Sequence, residues 1–148
     1  MFITTNIRTF ASYMDDTLLP NESWEIDFEW LRIRHFIKDR FQRESLPDLN
    51  GILFLIGVQE LGWWKDTFTK EEKQDLMHIA TCRLMSYHGH YAFVGRDADG
   101  WPHWELVRAI PPSNLKEQEL LFKDAIIRYF KEWERENAHI PDANQTIH

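Results

Sequence analysis

Residues 48–61, DLNGILFLIGVQEL, decide the fold of this 148-residue chain. The stretch is apolar nearly all the way round through Val58, which is typical of a segment buried on every side. Its β-branched residues and two glycines are compatible with a central strand. The next residue, Gly62, can end a helix in the left-handed conformation. We therefore favour a short central helix, and the strand stays open as the alternative.

The sequence predicts helices on both sides of this stretch. They cover residues 4–16, 25–44, 69–87 and 113–136, and Leu19-Pro20-Asn21 predicts a turn between the first two. Residues 25–44 carry one apolar stripe at helical spacing, formed by Ile26, Trp30, Ile33, Ile37 and Phe41. Thr69 and Glu72 have the spacing of a capping box, and so does Glu117 with Asn114 or Ser113 at the last helix.

In residues 90–110 the apolar residues no longer recur at the helical spacing of the preceding segments. Short apolar runs flank Asp97-Ala-Asp-Gly100, which predicts a β-hairpin with a tight turn. The stretch RDADGWPHWELVR also suggests a calcium loop, but the first and twelfth ligand positions fall on Gly95 and Leu106, which cannot chelate. We therefore interpret the aspartates as turn residues. Strict alternation would place Trp101 and Trp104 on opposite faces, one packing on the helices and one covering the turn.

These elements predict a mainly α fold. We expect about five helices in a compact bundle with one inserted β-hairpin near residues 90–110. We expect residues 1–136 to form a single domain and residues 137–148 a flexible C-terminal tail.

Composition narrows the functional classes. The formal net charge of −7 argues against nucleic-acid binding, which depends on basic surfaces. The single cysteine excludes an internal disulfide. The longest purely apolar run, residues 52–56, is far shorter than the ~20 residues of a membrane span, and no signal peptide is recognisable. We expect a cytoplasmic protein that contacts no membrane.

A metal site is one functional hypothesis. Asp75, His78 and Cys82 share a helix face, and thiolate and imidazole ligands suit a soft divalent metal such as zinc. His88, His90 or His103 could complete the ligand set if the chain folded back. The structural alternative, a buried cysteine beside an ordinary histidine, is the more common situation.

Aromatic residues make up 14% of the chain, with seven Trp and ten Phe. Nucleophile elbows, P-loops and dinucleotide glycine motifs are absent, and no catalytic residue or cofactor is predicted. The leading hypothesis is a non-enzymatic protein-interaction or self-associating module, using Trp63, Trp64, Trp101, His103 and Trp104. The alternative is a metal-binding protein or metal-dependent enzyme. A third reading, an acidic binder of a basic partner, rests on the net charge alone.

Two segments carry a resemblance: FTKEEKQDLMHIATCRLMS (68–86) and GRDADGWPHWELVRAIPPSNLKEQE (95–119). Over about residues 50–130 the chain resembles a small family of uncharacterised bacterial proteins of Bacteroidetes type. This resemblance implies a bacterial cytoplasmic protein and carries over no activity and no site residue.

Overall fold

A computed structural model describes residues 19–137, with side chains from Trp24 onward. Within this range four helices and one hairpin follow one another: α1 (Leu19–Arg40), α2 (Leu49–Leu61), α3 (Lys70–Ser86), β1 (Tyr91–Arg96), β2 (Pro102–Leu106) and α4 (Leu115–Glu136). The predicted mainly α fold with a hairpin before the last helix is confirmed. The helix predicted at residues 4–16 and nearly all of the predicted tail lie outside the described residues.

The decisive stretch forms helix α2, so the strand alternative is wrong. Asp48 caps the start, because its side chain accepts a hydrogen bond from the Gly51 amide. Gly62 ends the helix at φ 85°, in the left-handed region that glycine enters without strain, and its amide donates to the Val58 carbonyl. Both ends are thus fixed by local contacts, while the apolar middle is buried against the other helices.

Helix α1 differs from the prediction at both ends. It begins at Leu19 rather than residue 25, so the turn predicted at Leu19-Pro20-Asn21 is wrong. A proline is tolerated in the first turn because its missing N–H would have no partner there. The helix ends at Arg40, and Gln42 takes a left-handed φ of 52° just after it. Phe41, predicted to lie in the apolar stripe, therefore falls beyond the helix and is 47% exposed.

The rest of the α1 stripe does enter the core. Trp30, Ile33 and Ile37 are buried against α2, α3 and α4 in one large apolar cluster. The predicted capping boxes of α3 and α4 are both present, and Asn114, not Ser113, caps α4. None of the helices in the described range is long and apolar enough to cross a membrane.

The hairpin packs beside α3 and is tied to the end of α2. Strands β1 and β2 pair in antiparallel register, with an irregularity between Phe93 and Gly95. The Arg96 guanidinium donates to the carbonyls of Leu61 (2.8 Å) and Glu60 (2.7 Å). These carbonyls belong to the last turn of α2, where backbone acceptors lack helical partners. Arg96 therefore ties the hairpin to the end of α2, in addition to the packing of both strands on α3.

Candidate functional site

A cleft of about 310 Å³ lies between α3 and the hairpin. Helix α3 contributes Asp75, His78, Ile79 and Cys82 to its lining. The turn and strand β2 contribute Asp97, Trp101, Pro102, His103 and Trp104. Three residues of the interaction hypothesis, Trp101, His103 and Trp104, therefore line the same cleft as Asp75, His78 and Cys82 of the metal hypothesis, and His103 belongs to both hypotheses.

The hairpin side of the cleft is held by the Asp97 carboxylate. Its Oδ1 accepts hydrogen bonds from the Asp99 amide (2.9 Å) and the Trp101 amide (3.0 Å). Its Oδ2 lies 2.9 Å from Nε2 of His103. The His103 bond, followed by the Trp101 amide, lowers the pKa of Asp97 below its usual range. The turn prediction for Asp97 is confirmed, and this aspartate stays ionised at neutral pH.

The helical side of the cleft brings His78 and Cys82 together, as their spacing predicts. Nε2 of His78 lies 3.5 Å from Sγ of Cys82. Burial raises the pKa of the Cys82 thiol to about 11. Since the thiolate is the nucleophile, a thiol held neutral in this way does not support a nucleophilic role.

The two remaining histidines of the metal hypothesis are buried, and neither lines the cleft. His90 bonds the Arg108 carbonyl through Nδ1 (3.0 Å). Both ring nitrogens of His88 are buried without a hydrogen-bond partner among the described residues, and burial lowers its pKa to about 4. No three His, Cys, Asp or Glu side chains in the described range are grouped so that they could hold a metal ion. The metal hypothesis thus gains no support.

The predicted tryptophan group divides into separate contacts. Trp101 packs edge-on against Trp63, with ring centroids 5.9 Å apart. It also packs against a second, smaller apolar cluster, formed by Leu61, Phe68, Leu76 and Ile79. Trp104 instead packs against Phe93 at 5.3 Å, and its indole N–H is buried without a partner among the described residues. Trp64 contacts Phe68 and is 62% exposed. Only Trp101 and Trp104 line the cleft.

Sequence reasoning missed an exposed apolar surface on the hairpin. The pairs Tyr91–Leu106 and Phe93–Trp104 place four apolar side chains on one face. Tyr91 contacts His78 of α3, and Trp104 lines the cleft. Phe93 and Leu106 are each 53% exposed, so the apolar face extends beyond what α3 covers. Alternation in the sequence could have revealed this face, but not where α3 stops covering it.

Neither family models, curated proteins nor solved structures give a match to the chain. The bacterial resemblance therefore stays a prediction, and functional inference rests on the geometry of the described residues.

Proposed function

We propose that this helical protein is a non-enzymatic, self-associating module. In this proposal the uncovered part of the hairpin face packs against the same surface of a second copy. The observation that carries the proposal is the four-residue apolar face of the hairpin, of which Phe93 and Leu106 are half exposed.

The composition of this surface favours a second copy as its partner. Val94, at the irregularity in β1, and Val107, just after β2, are further exposed apolar side chains of the hairpin region, at 64% and 55% exposure. The Ala92–Glu105 pair points to the opposite side, and Arg96, which the register places on the apolar side with Pro102, turns to the α2 carbonyls. The exposed part of the face, at Phe93 and Leu106, is therefore uncharged. An uncharged surface is compatible with itself, as a two-fold symmetric interface requires.

The strand edges support the same arrangement. The sheet in the described range contains only β1 and β2, so each strand has one edge without a paired neighbour. Open edges beside apolar side chains commonly attract another chain. A second hairpin would cover both the apolar face and an open edge, which an isolated two-stranded hairpin cannot do for itself.

Light scattering coupled to size-exclusion chromatography tests the proposal on untagged protein over a range of concentrations. We expect a monomer–dimer equilibrium that Phe93→Lys and Leu106→Lys shift to monomer, with unchanged helical circular dichroism. The matched control is Leu115→Lys, since Leu115 is 83% exposed but lies at the start of α4, outside the hairpin. A wild-type chain that is monomeric at every concentration refutes the proposal, as does equal disruption by the control.

A further inference from the structure

We propose that the cleft between α3 and the hairpin binds the guanidinium group of an arginine side chain. The site consists of Asp75 and Asp97 as carboxylates and Trp101 and Trp104 as aromatic walls. This inference concerns a ligand for the cleft and does not depend on self-association through Phe93 and Leu106.

The charge of the lining selects a cation. Two aspartates and two histidines, His78 and His103, line the cleft, and none of the lining residues in the described structure is Lys or Arg, so the lining is anionic where the histidines are neutral. Both Asp97 oxygens are already engaged, Oδ1 by the turn amides and Oδ2 by His103, so Asp97 contributes negative charge to the cleft rather than a free acceptor. Asp75 makes no hydrogen bond or ion pair within the described range, so its carboxylate is available to a ligand. Opposite charges brought within about 4 Å attract even at a solvated site.

The shape and polarity of the lining select a planar cation. Indole rings bind guanidinium groups by stacking and by cation–π attraction. Trp101 packs on the helices and Trp104 packs on β1, and both side chains line the cleft. Ile79, Cys82 and Pro102 are buried apolar parts of the lining. They would contact the aliphatic stem, as arginine side chains require.

The size of the cleft limits the ligand. At about 310 Å³ it lies at the lower end of the range for ligand pockets, roughly 300–1,000 Å³. Such a volume suits one side chain better than a large cofactor. A guanidinium also forms paired hydrogen bonds with a carboxylate, which an ammonium group cannot do with the same geometry.

The test uses N-acetylarginine amide as the probe and N-acetylcitrulline amide as its neutral isostere. Binding is followed by the indole N–H signals of ¹⁵N-labelled full-length protein, with Trp101→Phe and Trp104→Phe used to assign the two signals. At mildly alkaline pH, where an ordinary histidine is neutral, we expect saturable shifts of both signals with the arginine probe and none with citrulline.

Asp75→Asn and Asp99→Asn form a matched pair, because each removes one negative charge but Asp99 does not line the cleft. We expect Asp75→Asn to weaken probe binding about fivefold, from the loss of one close charge in a solvated site, and Asp99→Asn to leave it unchanged. The inference is overturned by the absence of a saturable shift, by equal binding of citrulline, or by equal effects of the two variants. Titration of the Leu106→Lys variant separates the two proposals, because Leu106 does not line the cleft and cleft binding should survive the loss of self-association.

Discussion

The crossing of α2 and α3 depends on Gly57, and replacing this glycine by alanine tests it directly. An added Cβ at Gly57 would clash with the carbonyl oxygen of Leu76 and would lie 2.6 Å from its carbonyl carbon and 2.9 Å from its Cβ. The first two atoms belong to the backbone of a helix and cannot rotate away. The two helices would have to separate, and they carry the most extensive contact between any two elements of the described fold.

Overpacking of a close contact costs about 1–3 kcal/mol, and a clash with helix backbone belongs at the upper end. Alanine has a better helix propensity than glycine by about 1 kcal/mol, which offsets part of this cost. We expect Gly57→Ala to lower the free energy of unfolding by about 2 kcal/mol or more. For a domain of this size that corresponds to a fall in Tm of about 8 °C.

Urea unfolding followed by circular dichroism measures the difference. Gly51→Ala is the control in the same helix, because its Cβ would meet only side-chain atoms, the nearest being Oδ1 of Asp48 at 3.3 Å. This oxygen also caps the helix by accepting from the Gly51 amide, but Asp48 is exposed and a shift of a few tenths of an ångström relieves the crowding without breaking that bond. Because alanine also gains helix propensity, we expect a change of less than about 1 kcal/mol there. The reasoning is refuted if Gly57→Ala is as stable as the wild-type protein, or if Gly51→Ala is destabilised equally.

Two further predictions concern buried titratable groups. Because the pKa of His88 is lowered to about 4, the unfolded chain binds a proton between pH 6.5 and 4 that the folded chain does not, and stability falls as the pH falls through this window. Urea unfolding should show this loss of stability, at most about 3 kcal/mol, in the wild-type protein but not in His88→Leu. At neutral pH the His88→Leu variant should match or exceed wild-type stability, because it removes two buried nitrogens that have no hydrogen-bond partner among the described residues. Equal pH profiles of the two proteins would contradict this prediction. With the pKa of Cys82 raised to about 11, its thiolate fraction is about 100-fold below that of an ordinary thiol. Alkylation should be slower by at least that factor in the native protein than in urea, and rapid native alkylation would show the thiol to be activated.

Local signals in the sequence predicted the elements of the fold well. The cap at Gly62 and the capping boxes at Thr69 and Asn114 involve residues within a few positions of one another, so their geometry is encoded locally. The Asp97 turn was predictable for the same reason. The start of α1 was not, because a proline is compatible both with a turn and with the first turn of a helix.

The candidate site was only partly predictable. Helical spacing placed Asp75, His78 and Cys82 on one face, and that part holds. The spacing could not show that Asp97 would line the same cleft as Asp75, since the two residues lie on separate elements that only the tertiary packing brings together. His88 and His90 looked like ligands in the sequence, but the chain after α3 turns both into the interior.

The sequence by itself determined which segments are helical, where their caps lie and where the hairpin turns, because these features depend on neighbouring residues. Only the tertiary structure decided what those segments meet. Gly57 is an unfavourable helix residue by propensity, and the close approach of the Leu76 backbone gives the reason for its presence. The extent of α3 likewise decided that Phe93 and Leu106 stay exposed while Trp104 is half-buried beside the cleft, since burial depends on the surfaces that two distant segments share.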